Sequence, residues 1–211
     1  MPLPLPRQGL YAITPGSEDF AWLLKQLRRS LEGGAVIVQL RDKQGRLGPS
    51  QASQVLTLCH GYDVPLIIND DLELALRIGA DGVHLGKEDI GLAEARKHLG
   101  RQAIIGVSCY GDLDRASSAA KLGASYVAFG AFYPSASKPD ATPAPLQILR
   151  QAKELLECPL VAIGGITPEN GTRLLEAGAD LLAVIGGIFS QKDPCLASHR
   201  FRQLFDAPAS R

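Results

Sequence analysis

Gln39, Arg41 and Lys43 alternate along the segment Val38-Gln39-Leu40-Arg41-Asp42-Lys43, so an extended backbone there turns all three to one side and Val38 and Leu40 to the other. An arginine forks onto two phosphate oxygens and a lysine adds a point charge, a pairing that suits pyrophosphate. The competing reading of Arg41-Asp42-Lys43 is a solvated turn. Asn69-Asp70-Asp71 and His84-Leu85-Gly86-Lys87-Glu88-Asp89 then place carboxylates at the ends of two further apolar runs. Oxygen ligands of this kind suit magnesium, which keeps several waters and is commonly held by one or two carboxylates together with substrate phosphates. Asp70 and Asp89 are the candidate ligands. Asp71, directly before Leu72, reads as a helix N-cap, and Asp89 has the same alternative for a helix beginning after Gly91. His84 lies among apolar neighbours and reads as a packed, hydrogen-bonded residue with no catalytic role. Ser108, after Gly106-Val107, offers a hydroxyl to a phosphate oxygen.

Two further features point to anions. From Phe132 through Pro145 the chain has neither helical nor strand periodicity, and irregular segments of that length in a compact domain are usually functional. A lid is the natural inference, with Ser135, Ser137 and Lys138 bringing donors and a positive charge over a bound substrate. A mobile proline-rich surface loop is the alternative. Gly164-Gly165-Ile166 and Gly186-Gly187-Ile188 end two late apolar runs, where glycine permits close backbone approach and N–H groups can face a phosphate. The residues therefore describe two anion sites, one cationic and metal-assisted, one made of backbone.

The elements that would carry these residues form a simple alternation. Short apolar runs occur at 10–14, 35–41, 65–70, 82–86, 104–109, 126–131, 160–165 and 181–187, and almost every one is separated from the next by a helical pattern. Runs such as AVIVQL and LLAVIGG are apolar on both faces, as a parallel sheet covered by helices requires. Ser17 before Glu18 and Asp19 reads as a cap, Phe20, Leu23, Leu24, Leu27 and Leu31 as a helical stripe, and Gly33 as a stop. Thr167-Pro168 and Asp193-Pro194 place a capping side chain before a first-turn proline. Gly-Ala recurs at Gly34, Gly79, Gly123 and Gly178, at intervals of 45, 44 and 55 residues, about two strand-helix units each. The expected fold is a single-domain (β/α)₈ barrel, an α/β TIM barrel with its core at about 9–206, between a short proline-rich arm and a C-terminal tail. Its chemistry belongs at the carboxyl ends of the strands. A doubly wound sheet is the rival, but it normally has fewer strands, and no G-x-G-x-x-G follows the first run.

Composition narrows the class. The 211 residues carry 22 basic and 22 acidic side chains, so nothing favours nucleic acid or an anionic membrane. No apolar run nears the roughly 20 residues that span a bilayer, and residues 1–8 lack the pattern of a signal peptide, which gives a cytoplasmic protein as the expectation. Cys59, Cys109, Cys158 and Cys195 are widely spread and read as reduced thiols.

Taken in order, the motifs VQLRDK at 38–43, NDD at 69–71, HLGKED at 84–89, GVS at 106–108, the Ser135-x-Ser137-Lys138 segment, AIGGI at 162–166 and VIGG at 184–187 resemble those of the thiamine phosphate synthase family. The resemblance runs from Leu10 to about Phe205 and rests on the order and spacing of motifs that are individually short. It implies a transferase that joins 4-amino-2-methyl-5-hydroxymethylpyrimidine diphosphate to thiazole phosphate, releasing pyrophosphate, with magnesium as cofactor. It further implies Asp70 and Asp89 as magnesium ligands, and Arg41, Lys43, Asn69, Ser108 and Lys138 as diphosphate contacts. Gln39 matches a pyrimidine-site residue, and Gly165 with the backbone of Ile185 and Gly186 matches the thiazole phosphate cradle. A homodimer is expected by the same analogy. This chain departs from the family's Thr-x-Thr-Lys in having Ser135-Ala136-Ser137-Lys138, and has Gly186 where a small polar residue is common. Two rivals stand beside the transferase: a thiazole tautomerase on the same barrel, and a non-catalytic thiazole phosphate-binding regulator. Retention of Arg41, Lys43, Asp70, Asp89 and Lys138 together argues against both.

Overall fold

The apolar runs become strands because residues alternate between two buried surfaces, the inside of a barrel and the layer beneath its helices. The computed structural model describes residues 2–86, 91–135 and 142–206. Its strands are β1 (Gly9–Ile13), β2 (Ala35–Leu40), β3 (Leu66–Asn69), β4 (Gly82–Leu85), β5 (Ile104–Tyr110), β6 (Tyr126–Phe129), β7 (Leu160–Ile163) and β8 (Leu181–Val184). All neighbours pair in parallel, and β8 returns to β1, closing the expected TIM barrel. Helices α1 (Phe20–Glu32), α2 (Pro49–His60), α3 (Leu72–Ile78), α4 (Leu92–Leu99), α5 (Leu113–Lys121), α6 (Gln147–Leu155) and α7 (Pro168–Glu176) each follow the strand of the same number. After β8 come a single short turn, α8 (Gly186–Phe189), and then α9 (Pro194–Asp206).

Inside the barrel pack Tyr11, Ile13, Ile37, Ile67, Ile104, Tyr126, Val161 and Leu181, while Leu10, Ala12, Val38, Leu40, Leu66 and Ile68 face the helices. The alternation expected along β2 is present, with Val38 and Leu40 outside.

The Gly-Ala repeat has a structural cause. Gly34, Gly79, Gly123 and Gly178 all have positive φ, between 67° and 112°, so each ends a helix in a conformation that only glycine adopts without strain. Three of them precede β4, β6 and β8 by the sequence Gly-Ala-Asp or Gly-Ala-Ser, and the third residue ties down the preceding strand. Asp81 Oδ2 accepts from Leu66 N at 2.7 Å, Ser125 Oγ from Ile105 N at 3.0 Å, and Asp180 Oδ2 from Leu160 N at 2.8 Å. Alternate strands are thus clamped at their amino ends, opposite the mouth.

Two readings of the sequence need correction. Asp19, not Ser17, caps α1: its carboxylate accepts from Trp22 N at 2.9 Å, while Ser17 closes a local turn on the Asp19 backbone. Ser17 lies too far from the first free N–H groups of the helix to serve them. The runs at 160–165 and 181–187 also overshoot their strands. Gly164 and Gly165 have φ of 106° and 61°, which breaks the extended backbone after Ile163, and Gly186-Gly187 opens α8. Asp71 and Asp193 are caps as read: Asp71 Oδ1 accepts from Leu74 N at 2.8 Å, and Asp193 Oδ1 from Cys195 N at 2.9 Å.

Candidate active site

At the carboxyl end of β2, Gln39 is 2% exposed and points into the barrel, where its Nε2 donates to Tyr11 Oη at 2.9 Å. Thr14 bridges the ends of β1 and β2, its N–H donating to Gln39 O at 2.9 Å and its Oγ1 accepting from Arg41 N at 2.9 Å. Because β2 stops at Leu40, strand alternation places Gln39 but not Lys43. The turn that carries Lys43 is organised by Asp42, whose carboxylate accepts from Leu47 N at 2.6 Å and Gln44 N at 3.4 Å. Asp42 is therefore a loop organiser rather than the middle of a solvated charge run, and no signal short of the fold distinguishes the two.

The turn brings Lys43 across to β3. Lys43 Nζ lies 3.5 Å from Asp70 Oδ2, and Asn69 Nδ2 donates to the same oxygen at 2.6 Å. Asp70 itself has φ of 63° and takes its backbone N–H back to His84 O on β4 at 2.9 Å. An aspartate in this sparsely occupied region is over-determined by its surroundings, a pattern associated with functional sites. Its side chain is about a third exposed at the mouth. A hard oxygen donor of this kind fits magnesium held through one or two carboxylates and phosphate. The second candidate ligand, Asp89, lies outside the described residues, as do Ser137 and Lys138. Among the described residues no three His, Cys, Asp or Glu side chains gather as a metal-binding group.

On β5, Ser108 Oγ is 2.8 Å from His84 Nε2, and His84 Nδ1 is 2.9 Å from Tyr126 Oη. His84 is packed and hydrogen-bonded as read, stacked on the Tyr126 ring at 5.7 Å, but its partner is a candidate site residue. The two tyrosines, 2.8 Å apart through their hydroxyls, fill the barrel beneath the mouth. Gly106 makes this possible, because a Cβ there would collide with the Tyr126 ring. Burial pushes the phenols of Tyr11 and Tyr126 well above their ordinary pKa, so both stay protonated. Arg115, which sequence reasoning missed, locks the ends of β4 and β5: its Nε donates to Ser108 O at 2.7 Å and its Nη2 to Gly86 O at 2.9 Å.

Across the barrel, the glycine ends of β7 and β8 are shaped differently from one another. Gly165 is needed by the protein itself, since a Cβ there would meet Pro134 O and Tyr133. The segment after β6 runs along the end of β7, with Phe132 N donating to Ile163 O at 3.1 Å and Tyr133 N to Gly164 O at 3.0 Å. This lays Tyr133 and Pro134 against Gly165 and anchors the start of the segment carrying the expected lid, in which Ser135 is half-buried. Asn170 Nδ2 holds Gly165 O at 3.1 Å. At Gly186, by contrast, a Cβ would meet only Ser190 Oγ at 3.4 Å, so the backbone at Ile185 and Gly186 can be approached closely. Ile188 and Phe189 N–H groups bond back to Ile185 O, whereas those of Gly186 and Gly187 precede any intrahelical partner.

The cysteines take no part. Burial pushes Cys109 up to about 12 and raises Cys59 and Cys158 as well, so these thiols are inert at neutral pH.

A profile of the thiamine monophosphate synthase family matches residues 10–188. The chain belongs to that family. Thiamine-phosphate synthase of Aromatoleum aromaticum is 48% identical over 204 residues, covering 95% of this chain and 97% of its own. The enzyme of that name from Nitrosococcus oceani is 48% identical over 205 residues, covering 94% and 93%. Among solved structures, thiamine phosphate pyrophosphorylase from Pyrococcus furiosus superposes with a TM-score of 0.82 at 32% identity, covering 95% of this chain and 96% of its own. A 3-hexulose-6-phosphate synthase at 19% identity and TM-score 0.72, covering 92% and 98%, shares the fold. The family expected from the motifs and the barrel expected from the alternation of strands and helices are both borne out.

Proposed function

We propose that this protein condenses 4-amino-2-methyl-5-hydroxymethylpyrimidine diphosphate with 4-methyl-5-(2-phosphoethyl)thiazole, giving thiamine phosphate and pyrophosphate. The observation that carries the reading is the division of one barrel mouth. Arg41, Lys43, Asn69, Asp70 and Ser108 stand at or just past the carboxyl ends of β2, β3 and β5, and the open backbone at Ile185-Gly186 stands across from them. An isomerase of the thiazole alone has no use for the first half, and relatives nearly half identical carry the synthase name rather than that of a tautomerase or regulator.

In this reading the bond between the pyrimidine methylene carbon and diphosphate breaks first. Both bonding electrons leave with the diphosphate, and the pyrimidinylmethyl cation is captured by the thiazole nitrogen. Arg41 and Lys43 neutralise the departing anion, and Ser108 donates a hydrogen bond to it. Gln39 holds the pyrimidine at the bottom of the mouth. Ser135, Ser137 and Lys138 close over the diphosphate and keep water from the cation. Asp70 and Asp89 would hold magnesium, which when bound supplies charge stabilisation to the diphosphate oxygens. Gly165, Ile185 and Gly186 seat the thiazole phosphate, with backbone N–H groups as donors. The same reading makes the protein a cytoplasmic homodimer acting on small molecules, with no nucleic acid or membrane partner. The balance of 22 acidic and 22 basic side chains supports the lack of a nucleic-acid partner. Among the described residues no helix is long and apolar enough to cross a membrane.

The test is a pyrophosphate-release assay with both substrates. Thiamine phosphate and pyrophosphate should appear together, and only with magnesium. Thiazole isomerisation without pyrophosphate would overturn the transferase reading, and undiminished turnover in chelator would remove the metal.

A further inference from the structure

Five side chains join into one hydrogen-bonded line through the barrel, and its direction is set at one end. Gln39 Nε2 is 2.9 Å from Tyr11 Oη, Tyr11 Oη 2.8 Å from Tyr126 Oη, Tyr126 Oη 2.9 Å from His84 Nδ1, and His84 Nε2 2.8 Å from Ser108 Oγ. The line begins at a residue assigned above to the pyrimidine and ends at one assigned to the diphosphate.

Proton accounting gives the line a single polarity. An amide nitrogen only donates, so Tyr11 Oη accepts from Gln39; the buried Tyr11 proton then has Tyr126 Oη as its one acceptor in the line and is donated there. Tyr126 then donates to His84 Nδ1. A neutral imidazole that accepts at Nδ1 carries its proton on Nε2, so His84 donates to Ser108 Oγ. Ser108 is left with its hydroxyl proton for another acceptor. Had Gln39 turned its carbonyl oxygen to Tyr11, every step would reverse and Ser108 would give its proton to His84. The intermediate links are rigid. Tyr11 and Tyr126 are 1% and 0% exposed, their rings cross edge-on at 5.8 Å, and His84 stacks on Tyr126 at an interplanar angle of 17°.

We propose that the Gln39 amide, acting through Tyr11, Tyr126 and the Nε2–H tautomer of His84, holds Ser108 as a hydrogen-bond donor to the departing diphosphate. Tyr11, Tyr126 and His84 are thereby positioning residues that act through Ser108. The inference rests on the reading of Ser108 as a diphosphate contact. It adds that the donor is oriented from the opposite, pyrimidine end of the same substrate. A donor oriented before the reaction needs no reorganisation as charge develops on the leaving group.

Two experiments test it. The first is long-range proton–nitrogen NMR of full-length protein labelled with ¹⁵N-histidine, without substrate, the His84 signal being assigned with His84→Gln. The Nε2-protonated neutral tautomer is expected, and an Nδ1-protonated or doubly protonated ring overturns the polarity whatever the reaction is. The second is a double-mutant cycle on pyrophosphate release. Tyr126→Phe keeps the ring and cuts the line, and should lower kcat about tenfold, a loss on the scale of one hydrogen bond, with KM for the thiazole phosphate unchanged. In a Ser108→Ala background the same change should cost less than about twofold, because the residue through which it acts is gone. Reductions that multiply in the double variant make Tyr126 merely structural and overturn the proposal. Tyr11→Phe cuts the line one link earlier and serves the same cycle should Tyr126→Phe fail to fold. An Nδ1 tautomer in an active synthase overturns this inference alone, whereas absence of pyrophosphate release from every form overturns the reaction reading and this inference with it.

Discussion

Replacing Lys43 by Gln should separate the chemistry of the mouth from the stability of the fold. The Lys43 side chain is 54% exposed and its partner Asp70 is 35% exposed, with Nζ and Oδ2 3.5 Å apart. Such a pair is largely screened by water, so its loss costs about 0–1 kcal/mol of stability. For a domain of this size that is at most about 2–4 °C in Tm. A charge-assisted contact to a departing diphosphate is worth more, about 1.5–3 kcal/mol. Lys43→Gln should accordingly lower kcat/KM about 10- to 150-fold while Tm stays within those few degrees. The assay is steady-state pyrophosphate release beside a thermal melt. Raising the ionic strength should slow the wild-type enzyme more than the variant, since the charge being screened is already gone from the latter. An unchanged kcat/KM would remove Lys43 from the diphosphate site, and a fall in Tm beyond about 10 °C would make it a structural residue.

Asp70→Asn keeps the shape but halves the ligand's charge-bearing oxygens. It should raise the magnesium concentration needed for half-maximal activity by at least tenfold, and an unaltered magnesium titration would count against the ligand role. Asp81→Asn strikes the clamped end of the barrel. The buried Asp81 carboxylate accepts from Leu3 N and Leu66 N at 2.7 Å each and from His60 Nε2 at 2.9 Å, so the amide should cost about 3–5 kcal/mol and lower Tm on the order of 10 °C without changing KM. A shift under about 3 °C would contradict the clamp. Gly165→Ala forces φ of 61° on an L-residue against Pro134 O, and should cost about 1–3 kcal/mol and raise KM for the thiazole phosphate; no change in either would show that the two loops are not held together there. Asp193 is held below the usual carboxylate range by the Leu196 and Cys195 N–H groups and by Arg29. Such a group stabilises the fold when ionised, and its contribution is lost as pH falls through the folded pKa. Asp193→Asn should therefore lower Tm at pH 7 by an amount that shrinks below about pH 4, and a pH-independent difference would refute the assignment.

Much of this molecule is legible without coordinates because its rules are local. A run apolar on both faces must be covered on both faces, and a helix that ends in glycine before each second strand repeats along the chain whatever the tertiary contacts are. Strand ends are less legible. The glycine pairs at 164–165 and 186–187 are apolar enough to continue a strand pattern, and only their φ values or a following helical turn reveal that they leave it. The cap of α1 is ambiguous for a similar reason: Ser17 and Asp19 are both good caps, and which one meets the free N–H groups depends on where the first turn starts.

By itself the sequence determined that eight strands alternate with helices, and that cations, carboxylates and glycines gather at their carboxyl ends. Those are properties of periodicity and of residues near one another in the chain. Tertiary structure alone decided which of these residues touch. The line from Gln39 to Ser108 joins partners 28, 115, 42 and 24 residues apart, through two tyrosines that carry no motif. Closure of the barrel brings β1, β2, β4, β5 and β6 around one interior, and burial there turns the polar atoms of Tyr11, Gln39 and Tyr126 to partners that the ring of strands supplies. A histidine that reads as ordinary packing thereby acquires a direction, and Lys43 reaches Asp70 through a turn that no alternation predicts.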